Sequence, residues 1–126
     1  MAGCGEFSTE GVPQEGAADL ASKVFVWDVL RTGDCEQRDG RIEFNSDGSG
    51  LWSCVTKTYS TSTGDIWHAR FSVKNSTGLT LFQVGTFDSP EMDDGNPPPE
   101  YPWSRVFIFD EREFNDIGGV TQHSSC

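Results

Sequence analysis

From residue 24 onward the chain is a succession of short runs rich in β-branched and aromatic residues, each ended by a cluster of Gly, Asn, Asp or Ser. A spacing of about ten residues leaves no room for capped helices and suits strands joined by turns. The runs cover 24–31, 41–44, 51–59, 65–74, 79–87 and 103–111, with a weaker one at 117–122. Asn45-Ser46-Asp47-Gly48-Ser49-Gly50 supplies the Asp-Gly step of a tight hairpin, and Gly64-Asp65 and Asn75-Ser76-Thr77-Gly78 punctuate the next two turns. The pattern predicts an all-β fold, a single antiparallel meander of about seven or eight strands closing into a small barrel. Residues 15–22 (EGAADLAS) are the one helix-favouring stretch, too short to stand without packing, and read as a helical turn capping the sheet. Residues 1–14 are expected as a flexible tail and 15–126 as a single domain, because a chain only 35% hydrophobic fills one core and not two.

Alternation assigns faces. In 65–74, Trp67, Ala69, Phe71 and Val73 fall on one side, with Asp65 at its end, and His68, Arg70 and Ser72 on the other. In 51–59, Trp52, Cys54, Thr56 and Thr58 compete with Leu51, Val55 and Tyr59 for the interior, and the orientation stays open. In 103–111 both faces carry apolar groups, Trp103, Phe107 and Phe109 against Val106 and Ile108, the pattern of a strand covered on both sides. The 88–102 connection holds Pro97-Pro98-Pro99 and is about 15 residues long, which suits either a lid over a binding site or a solvated acidic excursion.

Charge excludes several partners. Lys and Arg total 9 against 20 Asp and Glu, a net charge of -11, which repels nucleic-acid phosphates and anionic membrane surfaces. No apolar run approaches the roughly 20 residues that span a bilayer. The first twenty residues lack an apolar h-region, so the chain is expected in the cytoplasm or exported with its signal peptide already removed. Met1-Ala2-Gly3-Cys4 is similar to the end of a bacterial lipobox. Cys4, Cys35, Cys54 and Cys126 allow three fully paired connectivities in an oxidising compartment, and spacing selects none. Without a CxxC or HxxxH pattern, no metal site is expected. Asn75-Ser76-Thr77 is a glycosylation sequon lying in a turn-like stretch.

Candidate chemistry is sparse. Asp65 beside Trp67 has the surroundings that raise a carboxyl pKa for general-acid work, although alternation turns His68 away from it. Arg105, between Trp103 and Phe107, would present a guanidinium among rings to a carboxylate or enolate oxygen. Asp28 is a carboxylate within the apolar run 24–31, suited to a ligand contact or a structural ion pair. Asn45–Ser49 and Met92–Asn96 offer oxygens but lack the full calcium loop with its terminal Glu. No phosphate-binding loop, GxSxG or HExxH occurs, Cys35 and Cys54 lack a local His partner, and no cofactor is implied.

The short helical turn, then Phe25-Val26-Trp27, then strands with a Gly-Leu-Trp hairpin at 50–52 loosely resemble lipocalin-like (calycin) β-barrels over most of 24–122. That resemblance implies a barrel that binds a small hydrophobic or aromatic molecule. Its contacts would be Trp27, Asp28, Trp52, Trp67, Phe71, Phe82, Trp103 and Phe107, with Tyr101 and the proline loop as a lid. By the same analogy some small barrels act as cyclases, with Asp65 or Arg105 polarising a folded polyketide-like substrate. A third reading, an exported interaction or inhibitor domain held by disulfides, follows if the cysteines are oxidised.

Overall fold

The computed structural model describes residues 6–14, 21–61 and 64–126. Its strands are β1 (Phe7–Glu10), β2 (Val12–Gln14), β3 (Ser22–Trp27), β4 (Leu30–Thr32), β5 (Cys35–Asn45), β6 (Ser49–Thr58), β7 (His68–Lys74), β8 (Thr80–Asp88), β9 (Tyr101–Ile108) and β10 (Gly119–Ser125). All pair antiparallel, in two sheets. One has the order β1-β10-β7-β8; the other runs β2-β3-β5-β6-β9, with β4 also beside β5.

A single meander is therefore not what forms. The chain changes sheets between β1 and β2, β6 and β7, β8 and β9, and β9 and β10. Nor do the described strands close into a barrel, since the end strands β8 and β9 are not ladder partners. Register shifts in β8, between Ala69/Phe71 and between Val73/Lys74 of its neighbour, bend that edge. The two edges meet instead through side chains: the Arg105 guanidinium donates to the Asp88 carbonyl at 2.6 Å, and Phe82 stacks on Phe109 with centroids 5.6 Å apart.

Residues 7–14, expected as tail, are strands in both sheets. Only Gly11 separates β1 from β2, and a Cβ there would sit 2.8 Å from the Phe25 Cβ and 3.0 Å from the Trp27 ring, so the corner needs glycine. The segment lacks apolar periodicity, and it is ordered by pairing with β10 and β3. The helical turn anticipated at 15–22 falls outside the described residues except at its end, where Ser22 opens β3. After β9 the chain forms a 3-10 helix, Glu111–Asp116, started by the Asp110 carboxylate accepting from the Arg112 N–H. This ends the strand before Glu111.

The alternation read from 65–74 holds: Trp67, Ala69, Phe71 and Val73 are buried. The open case in 51–59 resolves with Trp52, Cys54, Thr56 and Thr58 inside and Leu51 and Val55 facing outward. Rings fill the space between the sheets. Trp52 lies 4.7 Å from Phe71 and 5.8 Å from Trp27, and Phe44 packs on Phe25, Phe82, Phe107 and Phe109. Each such ring removes roughly 150–250 Å² from water, which lets a chain poor in Leu and Ile still build a core. Toward the start of β5 the interior becomes polar, with Gln37, Thr56, Thr58, Gln122 and Ser124 all buried. At that end Cys35 and Cys126 form a disulfide, Cα to Cα 6.2 Å, joining one sheet to the other. Cys54 is a buried free thiol whose pKa burial pushes far up, an inert packing group rather than a nucleophile.

Candidate functional site

The outer face of β5, β6 and β9 has two halves of different chemistry. Near the disulfide, Glu36 is bridged by Arg31 at 2.7 Å and Lys57 at 3.5 Å, and Arg38 bonds Glu100 at 2.7 Å. There the charges satisfy one another. At the other half, toward the β5–β6 hairpin, the same face turns apolar. Leu51 pairs across to Val106 and Ser49 to Ile108, so these outward side chains share one surface. Val106 is 82% exposed and Ile108 89%.

These residues line a hollow of about 590 Å³ whose other walls are Glu43, Asn45, Ser49, Gly50 and Phe107. Behind it, on the inner face of the sheet, Gly50 leaves room for a core ring. Phe107 is the cross-strand partner of Gly50, and its ring occupies the space a side chain there would take, with ring carbons 2.2 Å from the position of a Gly50 Cβ. From inside, that ring packs on Phe44 at 5.6 Å and Phe87 at 6.0 Å. Phe107 thus borders the hollow along β9 while its ring, on the opposite face from Val106 and Ile108, is seated in the aromatic core. The rim is polar and prearranged: Asn45 accepts from Ser22 and donates to Ser49, and Glu43 takes a bond from Arg41 at 2.9 Å.

Of the ligand contacts expected from sequence, Phe107 lines this hollow. Trp27, Trp52, Trp67, Phe71 and Trp103 are buried in the core, and Trp103 donates its indole N–H to Thr56. Phe82 is half-buried against Phe109, and Tyr101 accepts from the Asp93 N–H through its hydroxyl. Asp28 is exposed in the link between β3 and β4. Asp65 and Arg105 are held by different partners. Asp65 accepts from the Thr58 hydroxyl at 2.7 Å; Arg105 lies 5.0 Å over Trp103 and bonds the carbonyls of Ser104 and Asp88. His68, outward as expected, pairs with Asp88 at 2.7 Å. In the 88–102 connection Met92 is buried and bridges Asp65, while most of its neighbours are exposed.

Sequence reasoning missed Val106 and Ile108 by reading β9 as covered on both faces. Pro102, just before that run and inside β9, is the signal that would have marked it as an edge strand, since proline lacks the ladder N–H and concentrates in such strands.

A family described as "Family of unknown function (DUF6294)" matches residues 41–126. The chain belongs to this family. The DUF6294 match includes every residue lining the hollow, together with Asp65, Arg105 and Cys126, and begins after β1 to β4 and Cys35. No curated protein and no solved structure matches the chain. Among the described residues no helix is long and apolar enough to cross a membrane.

Proposed function

We propose that this protein is a binding module that holds a small apolar or aromatic molecule in the hollow of β5, β6 and β9, without chemical turnover. One observation carries the reading: Val106 and Ile108 stand almost fully exposed beside Leu51, in a concavity whose volume falls within the roughly 300–1,000 Å³ of small-molecule sites. The side chains offer apolar walls and neutral or acidic rim groups, which suits an uncharged or cationic ligand and disfavours an anion. The resemblance to lipocalin-like barrels enters this proposal through ligand class, an apolar molecule held against a β-wall. Here the contact is on the outer face, because the interior is taken up by rings.

Nile red, a neutral apolar dye, tests it. Binding raises and blue-shifts its emission, and Val106→Asp with Ile108→Asp abolishes the response without lowering the melting temperature. A response unchanged in that variant overturns the proposal. The Cys35–Cys126 bond favours a second reading, an exported interaction domain that receives an apolar side chain of another protein in the same hollow.

A further inference from the structure

The disulfide has a third neighbour. Sγ of Cys35, Sγ of Cys126 and a carboxylate oxygen of Asp65 all lie within 4.8 Å of one another. They come from three remote parts of the chain, which is why ligand spacing in the sequence gave no sign of them. Asp65 is fixed twice: its Oδ2 accepts from Thr58, and its main chain forms a bridge to Met92, whose N–H donates to the Asp65 carbonyl at 2.8 Å. Among the described residues, no Lys, Arg or His forms an ion pair with this carboxylate, although it is partly buried. Other carboxylates at this level have cations: Glu36 has Arg31 and Lys57, and Glu100 has Arg38. A carboxylate with an oxygen within 4.8 Å of two sulfurs, and with no cation paired to it among the described residues, has the composition of a metal site.

We propose that, once the Cys35–Cys126 bond is reduced, the two thiolates and the Asp65 carboxylate bind one thiophilic divalent cation of the zinc class, with water in the fourth position. The metal then replaces the disulfide as the link between the sheets. Reduction uses an external dithiol or a trialkylphosphine. Two electrons and two protons add across the S–S bond to give two thiols, while the dithiol becomes a disulfide, or the phosphine an oxide whose oxygen comes from water. Metal binding then releases the two thiol protons to solvent. Two sulfurs and one oxygen form a donor set that zinc accepts, at bond lengths near 2.3 and 2.0–2.2 Å. The Thr58 hydroxyl orients the carboxylate as an outer-shell partner. A reducing compartment would thus exchange one staple for another, and the open fourth position would polarise whatever occupies it.

Cobalt(II) is the probe, used on the full chain carrying Cys4→Ala and Cys54→Ala so that the two relevant thiols alone remain. After phosphine reduction and desalting under inert gas, the expected result is thiolate-to-cobalt charge transfer with tetrahedral visible bands. These saturate at one metal per monomer, vanish on addition of zinc, and are absent from the oxidised chain. Asp65→Asn weakens binding by more than about tenfold, and Thr58→Val by roughly 10–100-fold, as outer-shell losses do. The absence of a charge-transfer band from the fully reduced chain overturns the proposal, as does saturation at one metal per two chains. An affinity unchanged by Asp65→Asn does so too, and that last outcome is also what capture by an unfolded dithiol would give.

Discussion

Replacing Gly50 with alanine tests how the core behind the hollow is built. The new methyl would be placed 2.2 Å from two carbons of the Phe107 ring and 2.8 Å from a third. No real contact is that short, so the ring must leave its seat against Phe44 and Phe87. Overpacking of this kind costs about 1–3 kcal/mol. Each displaced ring pair adds to the loss at roughly 0.5–1.5 kcal/mol. Alanine also stiffens the unfolded chain, which offsets about 0.4–1 kcal/mol. The net expectation is a destabilisation of about 1–5 kcal/mol, equivalent to a fall in Tm of roughly 4–20 °C. Urea unfolding followed by tryptophan emission measures it, since Trp52 is fully buried beside this region. Phe107→Ala made together with Gly50→Ala should lose less than the two single losses combined, because the clash vanishes with the ring. A variant as stable as the parent, or an additive pair, would refute the placement of Phe107 over Gly50.

Three further outcomes are expected. Trp52→Ala, at a fully buried indole packed on Phe71 and Trp27, should cost about 3–5 kcal/mol in urea unfolding, and a loss below about 1 kcal/mol would contradict that packing. Cys35→Ser with Cys126→Ser opens a link spanning 91 positions and should cost about 4–5 kcal/mol by the chain-entropy argument; an unchanged urea midpoint would argue against the bond. Burial, and then the nearby Arg70 charge, holds the His123 imidazole below its ordinary 6.5. The unfolded chain therefore takes up that proton first, so this stability is complete above about pH 6.5 and is lost as pH falls through the folded value. His123→Gln should flatten the stability profile in that window, measured by urea titration at stepped pH, and an identical slope would remove His123 as its source.

Local pattern alone determined the strand-rich character of the chain, the hairpin at 45–50 and the inward set Trp67, Ala69, Phe71 and Val73, because turn residues and period-2 alternation act between near neighbours. The same rule could not decide which sheet each strand joins. That choice depends on the unpaired edges available elsewhere, such as the edge of β10 that orders residues 7–10, a segment without apolar periodicity. Nor could it expose β9. Val106 and Ile108 look like core residues along the chain, and they face solvent because no described residue covers the outer face of β9. Cys35, Asp65 and Cys126 are likewise remote in sequence, and only the packing of one sheet against the other brings their sulfur and oxygen atoms within 4.8 Å of one another.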